Sequence, residues 1–200
     1  MIDYFVTGSK GYIGSRLTEI LLENQKKIKI LDNNYFEDCN FELDSIADKY
    51  SALKKDIRDV EINDFKNVKN VLHLAALSND PIGNLNSAWT DEINNNATVK
   101  MARMAKAAGV ERFIFSSSCI MYGNAKTDEV DEKTPVDPNT DYAKSKVLAE
   151  KEIMKLSDKN FAVTSLRNGT VYGFSKYMRF DTVTNDFVGS ALANKKIVIK

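Results

Sequence analysis

Apolar and β-favouring residues run from Ile2 to Thr7 and stop at Gly8, which predicts a short strand. From Gly11 to Glu23 the positions Ile13, Leu17, Ile20 and Leu21 recur at helical spacing, so an amphipathic helix is predicted directly after it. Lys27 to Leu31 predicts a second strand, Ser51 to Ile57 a shorter third and Asn70 to Ala75 a fourth. Between Ser87 and Ala108 the residues Ile93, Ala97, Met101, Met104, Ala105 and Ala108 keep helical spacing, and Gly109 stands where a helix C-cap belongs. Arg112 to Ser117, with Phe113, Ile114 and Phe115, predicts a buried fifth strand. A polar loop holding Pro135 and Pro138 leads into a predicted helix from Tyr142 to Leu156. Phe161 to Arg167 reads as strand six, and Ile197 to Ile199 as the opening of a seventh. Strands alternating with helical segments along the whole chain predict βαβ units, and therefore an α/β fold with a doubly wound parallel sheet. No internal repeat or linker-like stretch interrupts the pattern.

Composition narrows the class. The chain has 200 residues, 28 basic and 28 acidic, and a formal net charge of zero, which argues against a nucleic-acid or membrane-surface partner. No apolar run approaches the ~20 residues that span a bilayer, and the N-terminal residues show no basic region followed by an apolar one. Cys39 and Cys119 are too few and too far apart to suggest a disulfide framework or a zinc site, and no metal is expected. A reducing, cytoplasmic setting is the expectation.

Thr7-Gly8-Ser9-Lys10-Gly11-Tyr12-Ile13-Gly14 lies between the first strand and the first helix. Glycines so spaced let the backbone turn tightly, approach a pyrophosphate and pack helix on sheet, while the helix N-terminus offers unpaired N–H groups to the anion. Asp32 stands at the end of the second strand, about 20 residues on, where an acidic group accepts hydrogen bonds from the adenosine ribose and repels a 2′-phosphate. This context favours NAD over NADP.

Tyr142 and Lys146 are four apart at the start of a predicted helix, which places both on one face. An unperturbed tyrosine, with a pKa near ~10, is no base at neutral pH, but a neighbouring ammonium and a nicotinamide cation stabilise its phenolate. Alone, this spacing also fits an ordinary solvated helix face. Ser116-Ser117-Ser118 adds hydroxyls at the carboxyl end of the fifth strand, the edge where doubly wound sheets bind ligands, and a serine there can hold a substrate hydroxyl or carbonyl.

With the glycine turn, Asp32, the serine triplet and Tyr142/Lys146 in this order, the chain resembles the extended short-chain dehydrogenase/reductase family, specifically its NAD-dependent nucleotide-sugar epimerases and dehydratases. The resemblance implies a Rossmann fold and NAD held by Gly8, Gly11, Tyr12, Ile13, Gly14, Asp32 and Asn33. It assigns Asp56 and Ile57 to the adenine, Leu74, Ala75 and Ala76 to the wall after strand four, and further cofactor contacts to Asn94, Ser116, Tyr142, Lys146 and Asn168. Ser116-Ser117-Ser118-Cys119-Ile120-Met121-Tyr122-Gly123 is similar to the serine segment of UDP-galactose 4-epimerases, where the serine four before the tyrosine is catalytic; here that is Ser118. Leu166-Arg167-Asn168-Gly169-Thr170-Val171-Tyr172-Gly173 looks like the segment that reaches nicotinamide and sugar.

Departures from the family pattern carry information. Its 4,6-dehydratases place acidic residues just after the catalytic hydroxyl residue, and this sequence has Cys119 and Ile120, which disfavours dehydration. Phe174 replaces the usual proline after Tyr172-Gly173. Relatives continue well beyond this length, so residues 1–200 are expected to be the NAD-binding domain, with the substrate-binding domain largely absent. His73 is expected to be structural and cofactor-lining, Cys119 a packed thiol, Trp89 and the phenylalanines core, and Arg167 a partner of structure or phosphate. Tyr177, Arg179 and Asp181 fall in a loop, and their spacing leaves open whether it faces the sugar.

The resulting expectation is a nucleotide-sugar 4-epimerase working through a transient 4-keto sugar, with catalytic Ser118, Tyr142 and Lys146. The alternatives are a nucleotide-sugar dehydrogenase or ketosugar reductase, or a non-catalytic NAD-binding protein or fragment. Relatives dimerise through the helices that follow strands four and five, so the resemblance also implies a homodimer.

Overall fold

A computed structural model describes residues 1–35, 50–78, 83–125, 127 and 129–199. Six strands form one all-parallel sheet, β1 (Ile2–Thr7), β2 (Ile28–Asp32), β3 (Ser51–Lys54), β4 (Val68–His73), β5 (Arg112–Ser118) and β6 (Ala162–Asn168), in the order β3-β2-β1-β4-β5-β6. The helices are α1 (Tyr12–Glu23), α2 (Ser87–Asp91), α3 (Thr98–Ala107), α4 (Asp141–Met154) and α5 (Val183–Asn194). The strand order reverses at β1, which has β2 on one side and β4 on the other. A crevice for ligands therefore opens at the carboxyl ends of these strands.

Alternation along β1 shows how the two faces are filled. Phe5 belongs to the larger core with Leu31, Val71, Phe113, Phe115, Met101, Ala105 and Ile153, whereas Val6 joins Ile28 and Ile30 under Leu17, Leu21 and Leu22 of α1. Phe5 meets Phe65 edge to face, with centroids 5.6 Å apart. Ile20, counted in the apolar stripe of α1, lies at its exposed margin.

Three stretches depart from the sequence pattern. The long helix after β4 is interrupted by a π-helical turn, Glu92–Ala97, between α2 and α3. Its cause is Asn94, which is fully buried and hydrogen-bonds the main chain of Leu77, so the helix widens to turn a polar residue inward. The third strand ends at Lys54, and Ile57 instead opens a 3-10 turn, Ile57–Asp59, whose Asp56 cap accepts from Arg58 N at 2.9 Å. Ile197 to Ile199 forms no strand. Lys195, in the left-handed region at φ 54°, ends α5, and the exposed residues that follow pair with no described strand.

Trp89 is 61% exposed and is not core; of the phenylalanines, Phe174 and Phe180 are exposed while Phe5, Phe65, Phe113, Phe115 and Phe161 are buried. Cys119 is an exposed thiol rather than a packed one, and Cys39 lies outside the described residues. Among the described residues no helix is long and apolar enough to cross a membrane.

Candidate active site

The turn after β1 is built by close approach. Gly8 has φ +67°, and a Cβ there would lie 2.7 Å from Ala75 N; a Cβ on Gly14 would lie 2.0 Å from Gly8 O. Both positions require glycine, and the space they leave brings main-chain N–H groups to the surface of the crevice. α1 starts from Gly11 with no side-chain cap and no acidic residue in its first turn, which suits a helix N-terminus that takes an anion instead. Asp32 closes the wall, accepting from Lys10 N and from Asn34 N, each at 2.9 Å. A carboxylate has about four lone-pair sites, so capacity for ribose hydroxyls remains. Asn33, beside it, accepts from Tyr35 N at 3.0 Å. These features fit a dinucleotide's diphosphate and adenosine ribose.

At the carboxyl ends of β5 and β6 a second set of groups meets. Lys146 is 2% exposed and donates from Nζ to Ser116 O at 2.9 Å. That ammonium lies 4.6 Å from the centroid of the Phe115 ring and 5.8 Å from that of Tyr142. Burial pushes Lys146 down to about 7. Ser116 Oγ accepts from Asn168 Nδ2 at 3.1 Å, tying β6 to the same point. Ser118, two residues on and on the same face of β5, caps the 3-10 turn Cys119–Tyr122 by accepting from Ile120 N at 3.3 Å. Thr140 caps α4 by accepting from Ala143 N at 3.1 Å, which sets where Tyr142 leaves the first turn.

His73 sits behind this set, fully buried between two hydroxyls, with Nδ1 2.7 Å from Thr7 Oγ1 and Nε2 2.8 Å from Thr98 Oγ1. Burial, with a smaller contribution from the Lys146 charge, pushes it down to about 3. The ring is neutral, and it holds β1, β4 and α3 together.

A sequence model of the NAD-dependent epimerase/dehydratase family matches residues 4–200. The chain belongs to the NAD-dependent epimerase/dehydratase family. A putative UDP-glucose 4-epimerase of Methanocaldococcus jannaschii is 30% identical over 201 residues, covering 97% of this chain and 64% of that protein. The dTDP-D-glucose 4,6-dehydratase of Mus musculus is 28% identical over 97% of this chain and 57% of its own length. Among solved structures, UDP-N-acetylglucosamine 4-epimerase from Methanobrevibacter ruminantium superposes with a TM-score of 0.85 at 25% identity, over 100% of this chain and 66% of that one. MoeE5, in complex with UDP-glucose and NAD, does so with a TM-score of 0.81 at 26% identity, over 98% and 62%. The chain thus spans less than two thirds of the length of these curated relatives.

In this member of the family the candidate residues gather at the carboxyl edge of the sheet. Gly8, Gly11, Tyr12, Ile13 and Gly14 form the turn, Leu74, Ala75 and Ala76 follow β4 beside it, and Ser116, Lys146 and Asn168 are joined by hydrogen bonds. Asn94 is buried between the loop after β4 and α4. Its Oδ1 accepts from Leu77 N at 2.8 Å, and its Nδ2 donates to Leu77 O and to Ser145 Oγ, so it shapes the loop after β4. Asp56 is occupied by Arg58, whose Nε and Nη2 donate to it at 3.0 and 2.9 Å. The Ile57 side chain is in the core, so a cofactor contact from that position falls to the main chain.

Of two further features, Arg179 with Asp181 is already singled out in the sequence, whereas Gly83 escapes it because only tertiary folding brings that residue to the site. Arg179 Nε and Nη2 donate to Asp181 at 2.9 and 2.6 Å, and Arg179 O accepts from Asn185 Nδ2, which also donates to Tyr12 Oη. Gly83 packs against Tyr142, since a Cβ there would lie 3.3 Å from the tyrosine Cβ.

Proposed function

We propose that this chain is the NAD-binding domain of a nucleotide-sugar 4-epimerase. Gly8, Gly11, Tyr12, Ile13 and Gly14 hold the NAD diphosphate, Asp32 and Asn33 the adenosine ribose, and Ser116, Lys146 and Asn168 the nicotinamide end. The observation that carries the reading is the buried Lys146 ammonium, fixed to Ser116 O and 5.8 Å from the Tyr142 ring.

Bound NAD supplies the acceptor and donor of the sugar's C4 hydride. Tyr142, as phenolate, takes the proton of the 4-hydroxyl and returns it when the 4-keto sugar is reduced. Ser118 donates a hydrogen bond to that oxygen in both states. Lys146 stabilises the phenolate through its charge, and its own fixed position keeps that charge from wandering. The residues that follow Ser118 are Cys119 and Ile120, neither of which is a carboxylic acid able to drive loss of water across C5–C6, and this favours epimerisation over dehydration.

Tyr142→Phe tests the reading. Turnover of nucleotide sugars, followed as inversion at C4 without net NADH, should fall by about 10²–10⁴-fold while NAD still binds. Unchanged turnover would overturn the role of Tyr142, and net NADH accumulation in the wild type would replace epimerisation with oxidation.

A further inference from the structure

The uncapped first turn of α1 is braced from outside, by the segment that links β6 to α5. Ser175, 2% exposed, donates from Oγ to Tyr12 O at 2.7 Å and pairs with Ser15 Oγ at 2.8 Å. Tyr12 Oη donates to Gly173 O at 2.7 Å and accepts from Asn185 Nδ2 at 2.9 Å. Asn185, 6% exposed, uses Oδ1 to accept from Gly173 N at 3.0 Å and donates from Nδ2 to Arg179 O at 2.8 Å. Gly173 is thus gripped on both sides in a backbone conformation, φ +117°, that other residues rarely adopt. Lys176 adds an ion pair to Glu19 at 2.8 Å.

We infer that Ser175 and Asn185 are positioning residues for the cofactor, acting through Tyr12 on the diphosphate-binding turn. The inference rests on the reading of that turn as an NAD cradle. A helix whose first turn lacks a cap frays, and an anion at its N-terminus and a strap across its flank both favour the ordered turn. Two partners that stabilise the same local state are coupled, and the coupling is reciprocal. Diphosphate binding therefore tightens the strap over residues 171–178, and the strap tightens diphosphate binding. Arg179, just beyond the strap, is held through its carbonyl by the same Asn185, so filling the cradle also steadies the Arg179–Asp181 pair.

Hydrogen exchange with ADP as the probe separates this from direct contact, because ADP fills the diphosphate cradle and lacks the nicotinamide that would reach β6. In the wild type, saturating ADP should slow exchange of the amides in residues 171–178 several-fold. Ser175→Ala and Asn185→Leu should each remove that protection at saturating ADP and weaken NAD binding about tenfold by calorimetry. A purely structural role would lower Tm and leave the ADP-induced protection in place, which overturns the inference. Absence of ADP-induced protection in the wild type overturns it too. Failure of the wild type to bind either NAD or ADP would overturn the cradle reading itself, and is told apart by the calorimetry.

Discussion

Lys146 is held against the preference of its own charge. A buried ammonium with one carbonyl and an aromatic face for company is poorly compensated for lost water, and its lowered pKa is the measure of that. Lys146→Met keeps the stem and removes the charge, so the cofactor-free protein should gain about 1–4 kcal/mol at pH 7 in urea titration while losing turnover. The sign with pH follows: the folded protein binds fewer protons than the unfolded chain between about 7 and 10.5, so the wild type gains stability as pH rises through that window. The gap to Lys146→Met should narrow accordingly, and a constant gap would contradict the buried charge. Gly14 fails for a steric reason instead. A Cβ 2.0 Å from Gly8 O has no flexible neighbour to yield, so Gly14→Ala should cost about 3 kcal/mol or more by thermal melting and abolish NAD binding.

Among the elements, β5, β6 and α4 are fastened by one ion pair and its neighbours. Arg167 Nε and Nη2 donate to Glu150 Oε1 at 3.0 and 2.7 Å, and Ser165 Oγ donates to Glu150 Oε2 at 2.6 Å. Arg167 Nη1 also donates to Tyr122 Oη at 2.8 Å, which reaches the turn that follows Ser118. Burial raises the Glu150 pKa, but Arg167 and Ser165 bring it below the usual carboxylate range. Arg167→Met leaves that carboxylate buried without its partner and should destabilise the protein by about 3 kcal/mol in denaturant titration. At this scale β1, β2, β4, β5 and β6 were legible, because each alternates or saturates with apolar residues, whereas β3 ends short of Ile57 and the equally apolar Ile197 to Ile199 forms no strand. α5 was not legible, since Val183, Val188 and Leu192 are exposed and draw no apolar stripe toward a core. The π-turn at Glu92–Ala97 was hidden for another reason: Asn94 faces inward only because Leu77 and Ser145 arrive to meet it. The glycine turn, Asp32, the serine triplet and the Tyr142/Lys146 pair stand out by spacing and order, and Ser118 within the triplet only by the family resemblance. Ser175 and Asn185 could not, because nothing local distinguishes them from loop residues.

For the molecule as a whole, His73 makes acid the weak direction. Its pKa is depressed in the folded state, so the stability it contributes is complete above the unfolded value of 6.5 and is lost as pH falls toward about 3. A few kcal/mol should disappear between pH 7 and pH 4 in urea titrations, and His73→Gln should flatten that slope. A slope unchanged by the substitution would mean that the buried His73 ring does not carry the acid sensitivity.

The hydrogen bond between Asn185 and Tyr12 joins residues 173 positions apart, and this gives the fold a schedule. At ribosomal speeds of about 5–20 residues per second, roughly ten seconds or more separate the emergence of the glycine turn from that of the residue that braces it. Until then the glycine turn, even once β4 has brought Ala75 against Gly8, stands unsupported from the flank. On the nascent chain, cofactor capture therefore matures late, after β6 has joined the sheet and the strap has closed.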